Sequence, residues 1–494
     1  MADVTRGIVL SDEQKAHVDR MEVILQRNLG VIDCSSTGSG KTITALAVAR
    51  RFGMNVFVVS PCTTKDIWVK KTKEYGVPLV GVWSYESFRS VKGSQPSHGY
   101  LSRTESPSGP SFDPTQKFFE LLATHSVLFV FDEAQKLRNT NESFKACRSL
   151  IHAARLRGGC SRIALLSASL FDKEEQAVHI MNLLGIVNDS KMCVKGRSRR
   201  EPDFSTLTTL IEFTHSIDPV ETERVMEAFT ITQKNADRVA YILFLNVIKP
   251  AMVSAMDPPK HVASIDAANY SAEMGEDGEK LQIAISSLRK IFHSNEDGSL
   301  SVKSGGFGTT TTAMMSIESA KARTLCRKVR ESLSTPGVKA VVFVNYNATF
   351  DYLTSELSDF GPLSLNGKVP EKKRYEVVQL FQAHNNDHRL IISNIVVGGV
   401  SIDLHDTHGS FPRHVWMIPT HNLIDMLQAA GRVHRRGVMS VPVIRVLYGK
   451  TPVREESILK TLWVKSGVSR DIIAHTSADD RTMMLPGEYP QIDE

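Results

Sequence analysis

The chain has 494 residues, enough for two or three domains with proper cores, and its 41% hydrophobic and 23% charged content is ordinary for a soluble globular protein. No apolar run reaches the roughly eighteen residues of a membrane span, and MADVTRGIVL lacks a basic-then-apolar leader, so a soluble, intracellular protein with no membrane partner is expected. The net charge of +5 permits nucleic-acid binding without arguing for it, and the scattered Cys34, Cys62, Cys147, Cys160, Cys193 and Cys326 exclude a zinc or iron–sulfur cluster and read as reduced thiols.

In chain order, the region Gly30 to Leu184 carries short apolar strand candidates at Gly30–Cys34, Val56–Ser60, Val127–Phe131 and Ile163–Leu166. Short, almost wholly apolar runs suit parallel strands buried on both faces. Lys92 to Ser111 reads as a surface loop within this region. Asp218 to Met256 reads as helical, and Glu296 to Thr312, rich in Gly, Ser and Thr, as a mobile loop. A second alternating region, Val338 to Tyr448, has strand candidates at Ala340–Val344, Leu390–Ser393, Val415–Ile418 and Val443–Leu447. Strand–helix alternation of this kind implies crossover units on parallel sheets, an α/β class.

Between the first strand and the helix-forming run ITALAVARRF lies CSSTGSGKT, Cys34 to Thr42. Strand, glycine-containing loop and helix start are what a phosphate loop requires: backbone amides converge on phosphate oxygens and the helix N-terminus adds partial positive charge. Lys41 then reaches the β- and γ-phosphates and Thr42 sets its hydroxyl on Mg²⁺. Ser35 stands where the general pattern has its first glycine. Downstream, Asp132 and Glu133 follow the strand Val127–Phe131, expected beside the first strand. A carboxylate at such an edge holds Mg²⁺ through water, and its neighbour polarises the attacking water.

These segments resemble superfamily 2 helicases and translocases. Cys34–Thr42 is similar to the helicase loop A-x-T-G-S-G-K-T, where a small residue other than glycine is normal at the first place; Asp132-Glu133-Ala134-Gln135 resembles the DEAD/DEAH box. Ser167-Ala168-Ser169 resembles the S-A-T coupling motif, and Gln428 to Arg435 matches Q-x-x-G-R-x-x-R. Val58–Trp68, Ser84–Ser90, Leu365–Gln382 and Gly398–Asp406 are similar to segments of the Swi/Snf-type branch, in the compact form encoded by large DNA viruses and phages. Gln135, Ser169 and Ser401 depart from that branch's histidine, threonine and glycine.

The resemblance implies two RecA-like lobes, with parallel sheets flanked by helices and an ATP cleft between them. Lobe 1 is expected over 1–215, a helical or irregular segment over 216–335, and lobe 2 over 336–494. ATP and Mg²⁺ are the implied cofactors. Gln14, Thr37, Gly38, Ser39, Gly40, Lys41, Thr42 and Asp403 would bind ATP, with Thr42 and Asp132 on the metal. Lys41, Glu133, Gln135, Arg432 and Arg435 would be catalytic; Ser167, Ser169 and Gln428 would couple ATP to nucleic acid. Thr63, Thr64, Lys65, Ser84, Tyr85, Gly398 and Gly399 would meet a nucleic-acid backbone. Trp68 reads as core and His434 as a hydrogen-bonding group of its motif. DNA is the expected partner. An RNA helicase of DEAH/DEAD type and a catalytically silent scaffold are the alternatives.

Overall fold

Short apolar runs become parallel strands in both halves of the chain. The computed structural model describes residues 8–107, 109–157, 159–195, 202–256, 265–269, 276–289, 292–294, 300–302, 307–395, 402–420, 422–435 and 437–449, with positions 455, 465, 468 and 472. The chain divides into two units, one within Met1–Pro258 and one within Pro259–Gly467.

The first unit has a six-stranded sheet of β1 (Gly30–Asp33), β2 (Asn55–Ser60), β3 (Leu79–Ser84), β4 (Val127–Asp132), β5 (Arg162–Leu166) and β6 (Val253–Ser254), in the order β6-β1-β5-β4-β2-β3. Every pairing is parallel. Successive side chains leave opposite faces, and both faces are covered. Val56, Val58, Leu128, Val130 and Leu166 pack with helices α1 (Asp12–Arg27) and α2 (Lys41–Arg51). Phe57, Val59, Phe129, Phe131 and Leu165 pack with the helices Glu142–Arg157, Glu174–Leu183 and Ala236–Leu243. Each large apolar side chain so buried contributes about 1.5–3 kcal/mol.

The second unit repeats the plan with β7 (Ile265–Asn269), β8 (Lys339–Val344), β9 (Leu363–Leu365), β10 (Leu390–Asn394), β11 (Arg413–Met417) and β12 (Val443–Tyr448), ordered β7-β12-β11-β8-β10-β9 and all parallel. Val341, Phe343, Ile391, Val415 and Met417 pack against the helix Leu423–Ala430. Ala340, Val342, Ile392 and Trp416 pack against Phe307–Leu333 and Asn347–Glu356.

All eight expected strands are present, and the α/β class with parallel sheets holds. Four sheet strands carry no strong sequence signal: β3, β6, β7 and β9. Within 216–335, the helices up to Met252 pack on the first sheet, whereas Phe307–Leu333 packs on the second. Two loop expectations are corrected. Lys92 to Ser111 contains the strand Leu101–Thr104, which pairs antiparallel with Ser111–Pro114 because Leu101 and Phe112 anchor in the core. Residues 307–312 are not loop but the opening of a 27-residue helix, whose Leu325, Val329 and Leu333 bury against the second sheet. Among the described residues, no helix is long and apolar enough to cross a membrane, no acidic, His or Cys cluster could hold a metal ion by itself, and the six cysteines are unpaired with one another.

Candidate ATP-hydrolysing site

The candidate residues of the first unit sit just past the C-terminal ends of strands, where open α/β sheets bind ligands. β1 ends at Asp33 and enters the phosphate loop, β4 ends at Asp132, and β5 ends at Leu166 before Ser167. Asp33, Leu166 and Asp132 are aligned across the sheet. The box strand β4 is therefore not beside β1, as expected from sequence; β5, which bears the coupling serines, lies between them. Strand order follows from long-range packing, which local pattern does not encode.

In the phosphate loop, Gly38 and Gly40 have φ of +74° and +98°. The left-handed φ at Gly40 favours glycine, and a Cβ there would also push the Gln14 side-chain amide out of its place. Gln14 Nε2 donates to the Ser39 carbonyl at 3.1 Å, and its Oε1 accepts the Ser11 amide at 3.0 Å. The second bond belongs to a capping box with Ser11, a pattern visible in Ser11-Asp12-Glu13-Gln14. Lys41 opens α2 and donates to the carbonyls of Ser35 and Ser36 at 2.8 and 3.0 Å. Thr42 follows it, half-buried.

Beneath the loop lies a buried polar group that sequence reading missed. Asp33, His17 and Ser35 are each fully buried. His17 Nε2 stands 3.1 Å from Asp33 Oδ2, and Ser35 donates both its amide and its hydroxyl to Asp33 Oδ1. Burial alone would raise the Asp33 carboxyl, but the His17 contact, the nearby Lys41 charge and the Ser35 hydroxyl hold it below the ordinary carboxylate range. Spacing gave no hint of this pairing, since His17 lies on another element.

At the box, Asp132 Oδ2 accepts from Trp68 Nε1 at 2.9 Å. Burial, then the adjacent Glu133 charge, push its carboxyl up to about 6 against the opposing pull of the Trp68 bond and Lys41. Glu133 has φ +54°, a left-handed backbone unusual for a side-chain-bearing residue. Gln135 Nε2 donates to Glu133 Oε2 at 2.6 Å, while Gln135 Oε1 accepts from Ser167 Oγ at 2.6 Å. Ser167 also receives the Ser169 amide on its hydroxyl, and donates its own amide to the Asp33 carbonyl at 3.0 Å. A continuous chain thus runs from the loop floor through Ser167 and Gln135 to Glu133.

Of the residues expected to meet nucleic acid, Thr63 and Thr64 lie in the turn Cys62–Thr64 after β2, and Lys65 opens the next helix. Thr63 Oγ1 is buried with no partner. Ser84 caps the short helix Tyr85–Arg89. Tyr85 is buried in the core, its hydroxyl donating to the Asp132 carbonyl at 2.8 Å. Trp68 is wholly buried, as expected. Gly398 and Gly399 lie outside the described residues.

In the second unit, Gln428 is half-buried on the helix Leu423–Ala430, and Arg432 and His434 follow it, both buried. The Arg432 carbonyl accepts the Leu404 amide at 2.9 Å, linking this motif to the segment that carries Asp403. Arg435 donates to the Gly431 carbonyl at 3.1 Å and pairs with the Asp403 carboxylate. The structure therefore joins two residues that sequence had assigned separately.

Residues 320–437 match the family described as Helicase conserved C-terminal domain. A protein of Acanthamoeba polyphaga mimivirus, provisionally named an ATP-dependent RNA helicase, is 23% identical over 465 residues, covering 91% of this chain and 81% of its own length. Transcription termination factor 2 of Drosophila melanogaster is 32% identical over 102 residues, 20% of this chain and 9% of its own. The Sulfolobus solfataricus SWI2/SNF2 ATPase core in complex with dsDNA is a looser likeness, with TM-score 0.33 and 13% identity over 98% of this chain and 99% of that one. Family match over residues 320–437, viral relative and phosphate-loop geometry define the class: a helicase-type, nucleic-acid-dependent ATPase.

Proposed function

We propose that the protein is an ATP-driven motor acting on DNA, a translocase or helicase of Swi/Snf type. The observation that carries this reading is the hydrogen-bonded chain from Asp33 through Ser167 and Gln135 to Glu133, which ties the phosphate loop to the box and to the coupling motif. Such a chain lets the nucleotide state be felt at the strand ends that flank Thr63, Thr64, Lys65 and Ser84. Thr64, Lys65 and Ser84, with the Thr63 backbone, would grip phosphates, consistent with a modest net charge and little sequence preference. Tyr85, buried, would position Asp132 rather than touch the polymer.

In this reading Lys41 and the loop amides hold the β- and γ-phosphates, and Glu133, oriented by Gln135, polarises the attacking water. By the family resemblance, Arg432 and Arg435 would neutralise charge on the transferring phosphoryl group, a role suited to a forked, always-charged guanidinium. Mg²⁺ would supply charge neutralisation at the phosphates. Thr42 and Asp132 fit it: one carboxylate oxygen takes the Trp68 bond, and a buried carboxylate that resists ionisation welcomes a dication.

A pH dependence follows. The folded-state value of Asp132, about 6, lies above the ordinary 3.8, so this group favours the fold as pH falls through 6, while metal binding needs the ionised form. ATPase activity at sub-saturating Mg²⁺ is expected to fall below pH 6, and a tenfold rise in free Mg²⁺ should move that limb acidward by up to about one pH unit. A limb that stays fixed as Mg²⁺ rises would count against Asp132 as a metal holder.

The name of the mimivirus relative favours RNA as the second reading. ATP turnover measured with duplex DNA, single-stranded DNA and RNA, beside a strand-displacement assay, separates the two. Strong stimulation by duplex DNA is expected, and stimulation by RNA alone would reverse the order.

A further inference from the structure

Ser35 occupies a place where the helicase form of the loop needs only a small residue, yet its hydroxyl is fully engaged. It donates to Asp33 Oδ1 and accepts the Met256 amide at 2.8 Å. With His17 and Asp33 alongside, the trio has the composition of a hydrolytic triad but not its geometry. The hydroxyl faces the carboxylate rather than the imidazole, and all three groups are sealed from solvent, so no nucleophile is presented.

What the contacts make instead is a clamp on the segment Val253–Met256. The Cys34 amide donates to the Ser254 carbonyl at 2.8 Å, His17 Nδ1 lies 3.1 Å from Ser254 Oγ, and Arg20 donates to the Ala255 carbonyl at 2.8 Å. Three consecutive residues, 254 to 256, are thus held by α1 and by the start of the phosphate loop. The carbonyls of Ser35 itself and of the next residue, Ser36, hold the Lys41 ammonium. Fixing the Ser35 side chain therefore fixes the orientation of the carbonyls that set Lys41.

We propose that Ser35 is a positioning residue for ATP binding, its hydroxyl clamping the floor of the phosphate loop to the segment Val253–Met256 so that Lys41 and the loop amides are preset. The proposal rests on the ATPase reading. Removing the hydroxyl leaves the buried Met256 amide without its acceptor and frees the loop floor, so ATP must order the loop as it binds. That cost falls on binding and not on the chemical step, because the loop is in place once ATP is bound.

Steady-state ATPase kinetics on the full chain, with melting temperature recorded for each variant, tests this. Ser35→Ala is expected to raise KM for ATP by about five- to tenfold while kcat stays within about twofold. Ser254→Ala, at the far end of the clamp, is expected to raise KM by about two- to threefold, and carries the test by itself if Ser35→Ala does not fold. A wild-type protein without ATPase activity would end the ATPase reading. An active wild type with unchanged KM in the variants, or a loss confined to melting temperature or to kcat, would overturn the clamp.

Discussion

Lys41→Ala is expected to lower polymer-stimulated ATP turnover by on the order of 10²–10³-fold, as loss of a preorganised charge on a transferring group does elsewhere. The lysine is the first residue of α2, fixed by the Gly40 turn, and its ammonium rests on the loop carbonyls of Ser35 and Ser36. A phosphate is a stronger, charged acceptor for the same ammonium. The lysine also serves the two buried carboxylates, since its charge helps keep both Asp33 and Asp132 ionised. Its removal should push the Asp132 carboxyl above its value of about 6, so that the residual activity shows a more alkaline acid limb than wild type. Turnover and its pH profile in Lys41→Ala check both halves. Full DNA-stimulated activity in this variant would sink the ATPase assignment.

Glu133 gives the second large effect. Glu133→Gln keeps shape and hydrogen-bonding capacity but removes the base, and a loss of about 10²–10⁴-fold in kcat with little change in ATP affinity is expected. Its backbone supplies an independent readout. Among the described residues only Ser90 and Glu133 hold a positive φ without being glycine, and such strain costs about 1–3 kcal/mol. Glu133→Gly relieves it and also abolishes the base, so that variant should be inactive yet melt at a higher temperature than Glu133→Gln. Burst-free single-turnover kinetics and thermal melts measure the two effects separately. Equal melting temperatures would show that the Glu133 backbone stores no strain, and a kcat near wild type in Glu133→Gln would remove Glu133 from the water-activating role.

Much of this was legible in the chain because it is local. Val127–Phe131 is a strand because five apolar residues in a row suit burial on both faces, and it is one within a residue of where pattern puts it. Gly38, Gly40, Lys41 and Thr42 could be assigned because loop, glycine and helix start are contiguous. The hairpin at Leu101 and the long helix Phe307–Leu333 were not legible, since each is anchored by partners distant in sequence: Phe112 in the core for one, and for the other the second sheet, where Leu325, Val329 and Leu333 are buried.

The same division runs through the site. Sequence by itself determined the residue types and the order of the phosphate loop, the acidic box, the coupling serines and the arginine motif, because each is a short run with its own spacing. Tertiary structure alone decided that β5 separates the loop strand from the box strand, that Gln135 bridges Glu133 to Ser167, and that Tyr85 points inward to Asp132. It also decided what Ser35 is for. His17, Asp33, Ser254 and Met256 come together from three elements spread over some two hundred and forty positions (His17 to Met256), and no spacing rule joins them. Their meeting follows from parallel strand order and from the cost of burying a carboxylate, which must find partners wherever the fold supplies them.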